Sequence, residues 1–133
     1  MKITRIYDTG NDGESSFDEL EVPRDNDAAN ANGMKYVASD AIPTSDGGVL
    51  FLDLPQGYES GWHNGAKLLI GVVLSGRLEA ETSDGQKREW GALEAFMVDD
   101  RTGKGHNGRV LEGPSRLLYI FLPDDFDARR WKV

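Results

Sequence analysis

Cysteine is absent from the 133 residues, which excludes disulfides, thiolate metal sites, CxxC redox chemistry and a cysteine nucleophile. Histidine is scarce: His63 and His106 are the only two, so a metal centre built from three imidazoles is excluded by arithmetic. No apolar run approaches the length of a bilayer span, and the opening stretch MKITRIYDTGNDGESS turns polar too early for the apolar centre of a signal peptide. A cytoplasmic location is the expectation. Positive charge is outnumbered, 15 Lys and Arg against 23 Asp and Glu, for a net charge of −8. Such a surface repels phosphate backbones and anionic headgroups, so neither nucleic acid nor membrane is expected as a partner.

What the chain does have is glycine, 16 residues of it, concentrated at Ser45-Asp46-Gly47-Gly48, Asp84-Gly85, Asn107-Gly108 and Glu112-Gly113-Pro114. Between these turn signals lie runs suited to strands: 2–8, 34–42, 48–54, 67–74, 77–83, 86–90, 92–98, 106–111 and 116–122. Many short strands and tight connections predict an all-β sandwich or barrel, and the length predicts a single domain over residues 1–133. Arg77–Thr82 alternates charged and apolar residues, as a half-exposed strand does. Leu117–Leu122 is apolar throughout, which fits either a central strand covered on both sides or an interface strand, and a homodimer is expected. Residues 10–33 read as a long polar surface loop pinned by Phe17, Leu20 and Val22. Residues 124–133 predict a short C-terminal helical segment with its arginines in the last turn.

Two familiar chemistries fail on context. Gly103-Lys104-Gly105-His106-Asn107-Gly108 satisfies GxGxxG, but a strand, not a helix, follows it, so no helix N-terminus faces a pyrophosphate. No serine lies in GxSxG, and only the two histidines are available as bases. The informative residues are therefore Gly61-Trp62-His63-Asn64-Gly65 and Thr102-Gly103-Lys104-Gly105-His106, each beside a strong apolar strand. Around them, Trp62 offers a flat wall with an N–H donor, Tyr58 and Glu59 lie on the approach to His63, and Lys104 or Arg101 supplies a positive charge for a carboxylate-bearing ligand. The plainer alternatives are a core tryptophan, a solvated lysine, Arg101 paired with Asp99 or Asp100, His63 bonded to a turn carbonyl and His106 to a carboxylate. Phe96 and Met97 must face opposite sides of one strand, so one of them at most lines a pocket.

From Val49 to Pro123 the sequence resembles the cupin superfamily. Val73-Leu74-Ser75-Gly76-Arg77-Leu78-Glu79 is similar to the end of the first cupin motif, Gly91 to the glycine that opens the second, and His106 to its histidine. His63 then matches the leading histidine of the first motif, while Gly65 stands at its second histidine and Leu69 at its glutamate. The second motif is also stretched, with fourteen residues between Gly91 and His106. Trp62-His63 together with Asp99-Asp100-Arg101-Thr102-Gly103-Lys104-Gly105-His106 resembles a subgroup of small stand-alone cupins. The resemblance implies an all-β double-stranded β-helix, or jelly-roll barrel, with its core at 49–123, and a site at His63 and His106. Three functions stay open: binding of a small organic metabolite, with proton transfer by a histidine; a divalent-metal dioxygenase or isomerase holding Fe, Mn, Zn or Ni on the two histidines and one of Glu59, Asp53, Asp99 or Asp100; and a non-catalytic sensor or structural dimer.

Overall fold

The computed structural model describes residues 1–45 and 47–133. Strands β1 (Lys2–Asp8), β2 (Ser15–Glu21), β3 (Asn26–Ala29), β4 (Lys35–Ala38), β5 (Val49–Leu54), β6 (Leu69–Thr82), β7 (Lys87–Trp90), β8 (Ala95–Asp99) and β9 (His106–Phe121) are followed by a 3-10 turn at Ala128–Trp131. One mixed sheet runs β2-β1-β8-β6-β9-β5, with β7 added to β6, while β3 and β4 form a separate hairpin. β1 and β5 sit far apart in that order, yet Ile6 of β1 and Leu52 of β5 line one cavity. The sheet therefore curls over on itself, and the architecture is the all-β jelly roll.

Side-chain alternation divides the apolar residues between two faces. Ile6, Leu69, Val73, Leu78, Trp90, Phe96, Val98 and Leu117 pack inside the curl. Ile3, Leu20, Leu68, Ile70, Met97, Leu122 and Trp131 pack on the outer face beneath the C-terminal turn. Strands covered on both sides have no polar face to alternate, which is why β8 and the first half of β6 read as unbroken apolar runs. Phe96 goes in and Met97 goes out, as strand geometry requires.

Two expectations need correction. Residues 10–33 are not one loop: Ser15–Glu21 is a strand paired along the whole of β1, from Lys2 opposite Glu21 to Asp8 opposite Ser15. Its polar sequence hides buried side chains on both faces, Ser15 and Phe17 on the inner one and Leu20 on the outer one. The predicted breaks at Ser75-Gly76 and Gly113-Pro114 do not end strands either. β6 and β9 run through them, and the pairing register slips between Val73 and Leu78. The two signals stand opposite each other and make one bulged corner, the device by which a long ribbon bends into a barrel. Gly76 has φ +80°, and a Cβ there would stand 2.5 Å from the Glu112 carbonyl oxygen, so the corner needs a glycine.

Leu117–Phe121 lies inside the sheet, with β9 paired to β6 on one side and β5 on the other, and Leu118 to Phe121 are half-buried. The C-terminal segment is shorter than expected. Asp127 caps it by accepting from the Arg129 N–H, and Trp131 anchors it in the outer cluster.

Polar groups fix the corners of the sheet. Arg5, almost buried, donates from Nε and Nη2 to the two carboxylate oxygens of Asp18 (2.9 and 2.6 Å) and from Nη1 to Asp99 (3.2 Å). Between β6 and β7, burial opposes ionisation of Asp84, but hydrogen bonds from Ser16, Thr82 and Gln86 outweigh it and hold its pKa at about 2, below the ordinary 3.8. A carboxyl more acidic in the folded chain than in the unfolded one stabilises fully above the unfolded value and loses that contribution as pH falls through the folded value. Acid unfolding should therefore steepen between pH 3.8 and about 2. Chemical-denaturation curves of D84N across that window should show a flatter dependence on pH than the parent.

Candidate functional site

The two histidines are brought together by backbone pairing. His63 N–H donates to the His106 carbonyl (3.0 Å) and His106 N–H to the His63 carbonyl (2.9 Å), an isolated antiparallel bridge between the 61–65 segment and the start of β9. Gly65 N–H donates to the Asp100 carbonyl (3.2 Å), and Asn64 Nδ2 to the Gly103 carbonyl (2.8 Å). The imidazole centroids lie 4.6 Å apart.

The Asp99–His106 string owes its glycines to this clamp. Gly105 has φ +75°, and its α-carbon faces the His63–Asn64 peptide so closely that a Cβ would stand 2.5 Å from the His63 carbonyl carbon. Gly103 packs on Gly13, Lys104 N–H donates to the Gly13 carbonyl (2.7 Å), and the buried Ser15 hydroxyl donates to the Gly105 carbonyl (2.6 Å).

Each imidazole has one nitrogen committed. His63 Nδ1 lies 2.9 Å from the Gly61 carbonyl, which can only accept, so Nδ1 carries the proton. His106 Nδ1 donates to Asp100 Oδ2 at 2.6 Å, inside the protein and with Asp100 wholly buried. In the neutral rings both Nε2 atoms keep a lone pair. Among the described residues the only buried side-chain polar atoms without a partner are Asp100 Oδ1 and Asn107 Oδ1. His106 Nε2, which no protein donor engages, is not one of them, and its ring lines the cavity. The plain alternative is thus correct in its contacts, a turn carbonyl for His63 and a carboxylate for His106. These same contacts orient the rings and leave their second nitrogens free.

The cavity has a volume of about 230 Å³. Its body is apolar, formed by Ile6, Leu52, Leu78, Trp90, Phe96 and Val98, and its polar end by His63, His106, Tyr58 and Tyr119. Burial, and then the nearby Tyr58 hydroxyl, push the Tyr119 pKa above its ordinary 10, so Tyr119 is a neutral O–H donor at physiological pH. Glu79 also borders the cavity and is paired with Arg109, with Nε to Oε1 at 2.7 Å.

Of the predicted site residues, the structure brings His63, His106 and Tyr58 to the cavity and leaves the others outside it. Trp62 is exposed and lines no wall. Glu59 accepts from Asn107 Nδ2 (2.9 Å). Lys104 pairs with Glu14 on the surface, and that hydrogen bond, with a second from Ser83, lowers the Glu14 pKa. Arg101 reaches Asp99 (3.5 Å) and Asp124 (3.8 Å). Of Phe96 and Met97, Phe96 is the one that lines the cavity; Tyr119, and Asp100 in the role of orienting His106, are site residues that the sequence does not point to.

The donor set does not fit a tightly held divalent metal. No group of three His, Cys, Asp or Glu among the described residues is arranged to hold one. The carboxylates that could complete a shell are engaged elsewhere: Asp53 with Arg116 (2.7 Å), Asp99 with Arg5, Glu59 with Asn107, and Asp100 with His106. At Gly65, a Cβ would run into Val98 Cγ1 and lie 3.2 Å from Asp100 Oδ1, and Leu69 is packed in the inner cluster. Gly65 therefore has no room for a ligating side chain, and Leu69 presents an apolar one.

Fold and site together define an all-β jelly roll with a histidine-bordered, largely apolar cavity. No protein-family model and no curated protein matches the chain. Solved structures with a distant likeness include BH2720 from Bacillus halodurans, with 17% identity over 60% of this chain and 65% of that one, TM-score 0.45. The chain thus spans just under two thirds of the length of BH2720. Another is NMB1881 from Neisseria meningitidis, with 21% identity over 61% and 80% of the two chains, TM-score 0.47. A third, described as ethanolamine utilization protein Q from Salmonella typhimurium, has 16% identity over 80% and 98%, TM-score 0.38.

Among the described residues no helix is long and apolar enough to cross a membrane.

Proposed function

We infer that the chain is a cupin-like barrel that binds a small organic molecule in its interior, with the His106–Asp100 pair as a proton acceptor for the bound molecule. The observation that carries this reading is the 2.6 Å hydrogen bond from His106 Nδ1 to a buried carboxylate, beside a cavity. Asp100 holds the ring in one tautomer and stabilises the imidazolium that forms when Nε2 takes a proton. The transfer is balanced within the complex. A C–H or O–H bond of the ligand breaks, its proton goes to His106 Nε2, and the electron pair stays on the ligand, where the Tyr119 O–H can donate to the oxygen that gathers charge. Returned to another atom, that proton completes an isomerisation.

Filling the cavity tests the reading. Ala80 is buried and lines the apolar body, so A80F places a ring where the ligand should sit. With a panel of small aliphatic and aryl carbonyl compounds, ligand-observed NMR should detect binders for the parent and none for A80F, while the backbone amide spectrum of A80F stays dispersed. Equal binding by the parent and a folded A80F places the ligand elsewhere and overturns the reading.

A further inference from the structure

The cavity does not end at the histidines. A second, more open recess of about 410 Å³ lies beyond them and shares four walls with the first: His63, Val98, His106 and Tyr119. Strand pairing shows why the two are continuous. In the β5–β9 register Leu50 stands opposite Tyr119 and Leu52 opposite Leu117. Alternate residues of a strand share a face, so Leu50, Leu52 and Leu54 form one track. Leu50 borders the outer recess, and Leu52 and Leu54 the inner cavity. On β9, Phe121 borders the outer recess and Tyr119 borders both.

Charge differs between the two chambers. Among the described residues no Lys or Arg lines the inner one, and the outer one has a single cation, Lys67, and no Asp or Glu in its wall. Lys67 Nζ lies 5.8 Å from the centre of the Phe121 ring. No carboxylate among the described residues comes within 4 Å of it. A cation over an apolar recess, in a chain of net charge −8, is a local reversal of the surrounding potential.

Resting on the reading of the cavity as the binding site, we propose that its ligand is an amphipathic monoanion: a carboxylate held at Lys67, a reacting or hydrogen-bonding centre beside the two imidazoles, and an apolar tail along the Leu50–Leu54 track into the inner chamber. The positive charge expected of a carboxylate site thus comes from Lys67, at the start of the apolar run that becomes β6, and neither from Lys104 nor from Arg101.

The probes are straight-chain carboxylates from butanoate to octanoate, 3-phenylpropanoate, and the matching primary amides, titrated by NMR against the parent, K67E, K67R and A80F. The parent should bind each acid at least fivefold more tightly than its amide, with affinity rising about three- to fourfold per methylene until the inner chamber is full. K67E should weaken the acids tenfold or more and leave the amides unchanged, and K67R should restore the acids. Raising salt should narrow the acid–amide gap. If acids and amides bind alike, block in A80F and ignore K67E, the anion assignment is overturned while the cavity reading stands. If neither class binds the parent, or if A80F binds both, the cavity reading fails and this inference fails with it.

Discussion

G105A should lose roughly 3–5 kcal/mol of stability, the sum of left-handed backbone strain in a residue with a side chain and of a steric conflict that cannot relax cheaply. The neighbours of the added methyl are backbone: the His63 carbonyl group and, at 2.9 Å, the Asn64 nitrogen. A side chain could swing away, but these atoms are held by the two hydrogen bonds between His63 and His106. Relief therefore means opening that bridge, which separates the imidazoles. Thermal unfolding should fall by roughly 10–20 °C in a domain of this size. G85A is the matched control, since Gly85 also has a positive φ, +86°, with nothing within 4 Å of its Cβ position. It should cost only the strain, about 1 kcal/mol. Equal losses from the two substitutions would show that the close approach at Gly105 is not what holds the site together.

The second large effect separates stability from proton transfer. H106A removes the partner of a wholly buried carboxylate and leaves Asp100 with neither oxygen hydrogen-bonded, because Oδ1 already lacks a partner. The expected loss is about 2–4 kcal/mol. D100N keeps the shape but changes what the ring receives. An amide can donate to Nδ1 where the carboxylate accepted, and the proton on His106 then moves to Nε2, which becomes a donor. D100N should remain folded and still bind ligand, but any proton exchange between a bound carbonyl compound and D2O should slow by roughly 10²–10⁴-fold. If exchange persists unchanged in D100N, His106 is not the base.

The fold was largely legible because turn residues and apolar alternation obey local rules. β1 was predicted residue for residue, and β5, β7 and β8 to within a few residues. The failures share a cause. Ser15–Glu21 looks like loop because its inward positions include a serine, and its partner β1 decides that it is a strand. Ser75-Gly76 and Gly113-Pro114 each look like the end of a strand, and only their juxtaposition across the β6–β9 ribbon makes them a corner.

The site was legible in its centre and not in its walls. His63 and His106 stood out because the chain has no others. Tyr119 lies in an apolar run whose facing depends on register, and Lys67 matters only because the folded chain places Phe121 and Leu50 beside it. Lys104 and Arg101 are close to His106 in sequence. Their side chains instead close the loops around it, through Glu14, Asp99 and Asp124.

The central claim is that two imidazoles meet at one cavity with Nδ1 protonated and Nε2 open on each. A long-range proton–nitrogen NMR spectrum of the uniformly labelled protein tests it directly, read together with contacts between the ring protons. The account predicts the Nδ1–H tautomer for both histidines, a nuclear Overhauser contact between the rings, and a joint shift of both Nε2 resonances when a ligand is added. An Nε2–H tautomer at His106, or two rings with no mutual contact that respond independently, would contradict it.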